Sequence, residues 1–369
     1  MNFYSKSMSV FEMYDKQSTQ FECIVKDVSF NDISNNNGFT LDKKTLTLLK
    51  NDIRQSYKNI ADLLEKKKIP NWKTKCENRI IKIKNAVITN TGIIITSKGV
   101  WKLGGCTDNR IDNVNMDAVK NYYETVIQTQ KLYDKIISIA GYWTYGIWHF
   151  PMEALVGLRL IDNFDNTYLH IAEKNNFCLQ WLNLYNSNIT NDNILDGTVF
   201  TKELWLPELG KCGNPYFEQI VWLKETIHKT ITPQNENNLL ILIKRNKKRC
   251  VSNHSIIEDI CKNYCKKTNL VFYLHDDLFL PPVKKQLEIF NKAKIIIGPH
   301  GGGGINLLTT KEKTYFIEFL NENDINICYA RLAYFLNVNY FGITYSLTKG
   351  VDIIKDFLPI LKELQSLIV

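Results

Sequence analysis

The stretch KAKIIIGPHGGGGINLLTT, Lys292 to Thr310, runs three consecutive isoleucines into a proline, a histidine and four glycines, and then into a second apolar segment. Isoleucines 295–297, with no polar break, read as a strand buried on both faces. Glycines directly after such a strand let the backbone approach a ligand closely and reach positive φ. The short helix expected from Gly304 onward offers unpaired N–H groups and the positive end of its dipole. An anion such as a phosphate is the chemistry this turn suits.

Working outward, the segment after Pro233 alternates strictly. LLILI (239–243) reads as a buried strand, SIIEDICKNYCKK (255–267) as a helix opened by a Ser255/Glu258 capping box, and LVFYL (270–274) as a strand. PPVKKQLEIFNKA then reads as a helix with proline in its first turn, TYFIEFL (314–320) as a strand, ICYARLAYFL (327–336) as a helix and VNYFGI as a strand. Repetition of this kind implies parallel strands joined by helical crossovers. The expectation is an α/β protein with a Rossmann-like domain at 233–350 and a closing helix at 351–369. Ligands of open α/β sheets sit at the carboxyl ends of the strands, where the glycines fall. The named phosphate motifs fail: a P-loop needs lysine where Ile305 stands, and the dinucleotide fingerprint needs glycine where Asn306 stands.

The first 75 residues read as a helical extension. Leu46, Leu49, Ile53, Tyr57, Ile60 and Leu64 step by three or four and predict one long amphipathic helix. That helix either packs on its own domain or, over 41–68, forms a homodimer seam. Residues 76–232 read as a second α/β domain on the acceptor side. It opens with a hairpin around Asn90-Thr91-Gly92 and is mostly helix-like between 115 and 230.

Composition bounds the rest. With 369 residues, 44% hydrophobic and 12% aromatic, the chain is globular and long enough for two packed domains. The net charge of +8 is scattered, so no nucleic-acid partner is indicated, while an anionic small substrate fits. No apolar window reaches the length of a membrane span or a signal peptide, and the nine irregularly spaced cysteines read as buried free thiols. Both features lead to an expectation of a cytoplasmic protein. The abundance of Asn, Lys and Ile suggests an A/T-rich genome, such as that of a large DNA virus acting in a host cytoplasm.

IIIGPHGGGGINLL closely resembles the strand-loop-helix signature G-x-H-G-A-G-L-x-N of glycosyltransferase family 61, with Gly302 and Gly304 in place of the usual Ala and Leu. LLILIKRNKKR, KKQLEIFNKAK, TYFIEFL and YARLAYFLNVNYFGI fall in the family's order. Upstream, YGIWHFPMEALVGLRLI (145–161) resembles its histidine-aromatic helix with an acidic residue four positions on. The resemblance implies a GT-B arrangement, two Rossmann-like domains facing across a cleft. It also implies inverting, metal-independent transfer of a sugar from a nucleotide-sugar donor, UDP-linked by expectation, to a glycan or other hydroxyl acceptor, with no cofactor. The alternative is a catalytically inactive nucleotide-sugar-binding protein on the same fold.

Residue roles follow. Arg245 ends a strand, and its planar fork suits a diphosphate, with Arg249 and Lys244 as helpers. His300 with Gly301, Gly302, Gly303 and Gly304 forms the donor turn, unless His300 only ties the loop together. Asn306 caps the loop. Glu318, amid apolar neighbours, needs either ribose hydroxyls, as the resemblance suggests, or a structural ion pair. His149 and Glu153, four apart and beside Trp143, Tyr145 and Trp148, are the candidates for the general base or for orienting the donor, against a plain core role. His275, Asp276 and Asp277 are second in line.

Overall fold

The computed structural model describes residues 4–9, 22–26, 38–52, 54–66, 72, 75–102, 115–346 and 352–368. The chain forms two compact units, one from residues 1–30 and 74–227 and the other from 31–73 and 228–369.

Among the described residues the first unit is built on a nine-stranded mixed sheet. Strands Leu132–Ser138, Val199–Pro207 and Tyr168–His170 run parallel. Arg79–Ile88 joins this group antiparallel to Val199–Pro207 and turns at Gly92, φ +79°, into the hairpin with Ile93–Thr96. The helix-like reading of 115–230 is therefore corrected. Val199–Pro207 alternates Val, Thr, Leu and Leu inward with Phe, Lys and Trp less buried, which is strand periodicity. The helices between the strands are short and share their aromatic composition, so the two patterns blur in sequence.

Among the described residues the second unit holds a sheet of six parallel strands. Its labelled elements in chain order are β1 (Phe39–Leu41), α1 (Lys43–Lys50), α2 (Gln55–Glu65), β2 (Leu239–Lys244), α3 (His254–Thr268) and β3 (Val271–Asp276). Next come α4 (Val283–Phe290), β4 (Ala293–Pro299), a 3-10 helix (Gly302–Thr309), β5 (Tyr315–Asn321), α5 (Cys328–Phe335), β6 (Asn339–Tyr345) and α6 (Asp352–Ile368). The sheet order is β3-β2-β4-β5-β6-β1. Leu240, Leu242, Ile295, Ile297, Ile317 and Phe319 face α3 and α6 in one core cluster. Ile241, Ile243, Ile296 and Phe316 are buried as well, so the inner strands are apolar throughout, as parallel strands covered on both faces must be.

Two local expectations change. The long helix over 43–66 is broken into α1 and α2, because the Asp52 carboxylate accepts from the Arg54 N–H at 2.8 Å and from its Nε at 2.7 Å, a turn that competes with helix continuation. The capping box does not form either. Helix α3 starts at His254, which places Ser255 inside it, and Glu258 pairs with Lys262 at 2.7 Å instead.

The N-terminal segment 38–66 is integral to the second unit. β1 adds to the sheet edge along β6, and Asp42 caps α1 by accepting from Thr45 N–H at 2.6 Å while also accepting from Thr344 N–H at 3.1 Å. Asp42→Ala removes both bonds. We expect it to lower the stability of this unit by about 1–2 kcal/mol, read as a shift in a urea unfolding midpoint.

Candidate active site

The parallel register brings the glycine turn, Arg245 and Glu318 together at the carboxyl edge of the second sheet. β4 and β2 are neighbours, so Arg245, one residue past β2, reaches the end of β4 and donates from Nη1 to the His300 carbonyl at 2.8 Å. Its guanidinium lies over Gly301: a Cβ there would fall 2.1 Å from Arg245 Nη1. Arg245 is half-buried, and among the described residues no carboxylate pairs with its positive charge at the mouth of the turn. Arg249 differs, since its Nη2 is paired with Asp324, and Lys244 pairs with Asp276 at 3.1 Å.

The glycines have distinct steric roles. A Cβ on Gly298 would lie 2.6 Å from Ile243, and one on Gly304 would lie 2.8 Å from the Tyr329 ring. The short helix read from Gly304 onward is present as a 3-10 helix and begins two residues earlier, at Gly302. Gly304 N–H donates to Gly301 O at 3.0 Å, so the first open N–H groups of the turn are those of Gly302 and Gly303. Asn306 is buried and donates from Nδ2 to the Gly303 carbonyl at 3.1 Å, which fixes the turn from inside.

His300 and Glu318 form a buried pair, Nδ1 to Oε1 at 2.7 Å, and Tyr340 donates its hydroxyl to Glu318 Oε2 at 2.6 Å. Both carboxylate oxygens are thus engaged within the protein. Burial, reinforced by Glu318, holds the Tyr340 hydroxyl well above its ordinary pKa. A carboxylate can only accept, so His300 Nδ1 carries a proton, and in the neutral imidazole Nε2 is an acceptor. Tyr329 packs its ring 5.1 Å from the imidazole.

In the first unit, His149 and Glu153 meet across one turn of π-helix, Phe150–Ala154, with Nδ1 to Oε1 at 2.8 Å. Such turns recur at functional sites. Glu153 is buried and also accepts from Gly213 N–H at 3.3 Å, whereas His149 is partly exposed. Trp143 and Tyr145 stand on the preceding turn, 43% and 39% exposed, with ring centroids 6.2 Å apart. Nδ1 again faces a carboxylate, and in the neutral imidazole Nε2 is an acceptor.

Cys212 was not singled out from sequence, yet its sulfur lies within 4.8 Å of the His149 and Glu153 ligand atoms. That spacing would suit a small cation. Cys212 is disulfide-bonded, however, and lacks the thiolate charge a metal needs. The disulfide also corrects the expectation of free thiols throughout, which holds for Cys76, Cys178, Cys250, Cys261, Cys265 and Cys328. Disulfides belong to oxidising compartments.

The second-choice residues are committed elsewhere. Asn246 donates from Nδ2 to Asp276 at 2.7 Å and to Asp277 at 2.6 Å, and the Leu278 N–H holds the Asp276 carboxyl below its ordinary pKa. His275 is buried against Phe290 and its pKa is pushed down to about 4 by that burial.

The glycine turn and an arginine with no carboxylate partner among the described residues thus lie at the carboxyl edge of a parallel α/β unit, the edge at which open sheets take their ligands. The family model Glycosyltransferase 61 matches residues 147–317, which supports the family indicated by the sequence motifs and, with it, a transferase. The match includes His149, Glu153, Arg245 and the whole glycine turn, and ends one residue before Glu318. No curated protein matches the chain. Among the described residues no helix is long and apolar enough to cross a membrane.

Two glycine variants separate the steric roles. Gly304→Ala presses on the Tyr329 ring, buried and packed on His300, and should cost about 1–3 kcal/mol. Gly301→Ala meets the Arg245 side chain, which can swing aside, but sits at φ +158°, a backbone L residues rarely adopt, so it should cost about 1 kcal/mol through backbone strain rather than core packing. Chemical denaturation of both variants checks the two costs.

Proposed function

We propose that this protein is a glycosyltransferase of GT-B architecture that moves a sugar from a nucleotide-sugar donor, UDP-linked by preference, to a hydroxyl acceptor with inversion and without a metal. The observation that carries the reading is Arg245, half-buried, unpaired by any described carboxylate and seated over the glycine turn. As the bond between the anomeric carbon and the diphosphate oxygen breaks, negative charge grows on the leaving group. Arg245 and the Gly302 and Gly303 N–H groups are the preorganised positive potential for it. His300 Nε2 is an acceptor for a nucleotide hydroxyl. Glu318 acts as a positioning residue that fixes the His300 ring, its oxygens being held by His300 and Tyr340.

On the acceptor side His149 is the general base. Its Nε2 takes the proton of the acceptor hydroxyl while the acceptor oxygen bonds to the anomeric carbon from the face opposite the leaving group. Glu153 holds the imidazole in the Nδ1–H tautomer and stabilises the imidazolium that forms, the division of labour of carboxylate-histidine pairs generally. Trp143 and Tyr145, exposed beside it, offer faces for a sugar ring.

Calorimetry against a panel of nucleotides, with product formation from the matching nucleotide sugars, tests the assignment. Arg245→Ala should lose about 1.5–3 kcal/mol of nucleotide affinity, with Arg245→Lys recovering part because a point charge does not reproduce the fork. Gly301→Ala should resemble Arg245→Ala, since it displaces the same guanidinium. His149→Ala should leave nucleotide affinity unchanged and slow transfer by about 10²–10⁴-fold. Nucleotide binding without turnover of any nucleotide sugar would favour an inactive binding protein on this fold.

Activity should survive chelation, because arginine and backbone N–H groups occupy the role a metal would otherwise take. Transfer abolished by EDTA and restored by manganese or magnesium would overturn the metal-independent reading.

A further inference from the structure

The carboxyl edge of β2 and β3 carries an amphipathic surface that sugar transfer does not use. Past β3 the chain passes Asp277 into Leu278, Phe279 and Leu280, which are 54%, 81% and 42% exposed. Consecutive exposed apolar side chains of this size are unusual on a soluble surface and mark an interaction site. The segment holding them is fastened at both ends. Phe279 N–H donates to Asp276 O at 3.0 Å, Leu278 N–H to Asp276 Oδ1 at 3.0 Å, and Gln286 Nε2 to Pro281 O at 2.7 Å. The apolar tips are therefore held outward by the fold.

Basic charge stands beside them. β2 and β3 pair in register, Lys244 opposite Asp276, so the loops that follow leave adjacent strand ends, and Asn246 bonds both Asp276 and Asp277 across the gap. Lys247 and Lys248 in the first loop are exposed, and Ile256, 50% exposed, lies in the first turn of α3 just beyond it. Lys244 offsets Asp276, while Asp277 is held by the neutral Asn246 and keeps its charge, so the two exposed lysines outnumber the one carboxylate left unpaired by a cation and leave this edge basic.

We propose that this edge docks on an anionic lipid bilayer, with Leu278, Phe279, Leu280 and Ile256 entering the interfacial region and Lys247 and Lys248 meeting the headgroups. Apolar side chains beside lysines are the pairing that interfacial binding needs. The net charge of +8 opposes a second copy of this chain on the same surface and favours an anionic partner. Arg245 and the glycine turn lie on the same edge of the same sheet, so docking would bring them to lipid-borne substrates. The inference stands on exposure and charge and does not depend on the transferase reading.

Cosedimentation of the full chain with sucrose-loaded vesicles tests it, using phosphatidylcholine alone or mixed with phosphatidylserine. The chain should pellet with the mixed vesicles, poorly with phosphatidylcholine alone, and less as salt rises. Lys247→Ala with Lys248→Ala should lower partitioning roughly 25-fold, about fivefold for each lysine near an anionic surface. Phe279→Ser should lower it at least about tenfold. No pelleting with either lipid, or pelleting that neither the substitutions nor salt reduce, would overturn the proposal. So would a concentration-dependent dimer in sedimentation velocity that Phe279→Ser abolishes while vesicle binding is absent. The salt series on the unaltered chain keeps the test independent of how the variants fold.

Discussion

Glu318 has no contact with water, and the second unit is arranged around its carboxylate. An isolated buried carboxylate costs several kcal/mol, so its partners must be held at hydrogen-bond distance before the strand can take its place. His300 at the end of β4 supplies one bond and Tyr340 on β6 the other. The register sets Glu318 opposite Gly298 and Gly342, so no side chain from either neighbouring strand crowds it. Phe39 stacks on Tyr340 at 5.2 Å and Trp72 meets Phe39 edge-on at 5.3 Å, which ties residues from the first fifth of the chain into the same assembly. Fixing His300 fixes its carbonyl, and that carbonyl receives Arg245. The candidate anion site therefore depends on a charge that never reaches it.

Among the described residues each unit carries a histidine-glutamate pair closed through Nδ1, at 2.8 Å in the first and 2.7 Å in the second, and the two histidines differ in exposure. His300 is buried and enclosed by Glu318 and Tyr329, so its imidazole is suited to holding a fixed orientation. His149 is partly exposed beside Trp143 and Tyr145 while its partner Glu153 is buried, so it can exchange a proton at Nε2 as Nδ1 stays held. Exposure of the histidine is the difference between the two pairs, and it is the basis of the separate roles proposed for them.

Much of the second unit was legible in the sequence. Ile295 to Ile297 ahead of four glycines, and the alternation that begins at Leu239, predict parallel strands covered on both faces, because no other arrangement buries uninterrupted apolar strands between amphipathic helices. The first unit was far less legible. Leu132–Ser138 and Val199–Pro207 are strands whose period is diluted by lysine and glutamate on their half-exposed positions, and they sit among helices of the same composition. His149 and Glu153 were readable from their spacing. The disulfide at Cys212 was not, since sequence separation says nothing of how close two sulfurs come.

In the second unit residue type and local period determined which segments become strands, where the glycine turn falls and that Arg245 follows a strand, for these depend on neighbours only a few positions away. The partners of those residues came from the tertiary structure alone. Strand order placed Arg245 over Gly301, brought Tyr340 to Glu318 so that its carboxylate is answered within the protein, and closed the sheet with β1 from the N-terminal segment. Such pairings join residues 22 to 301 positions apart, and only the packed sheet, in which buried polar groups must find partners, selects them.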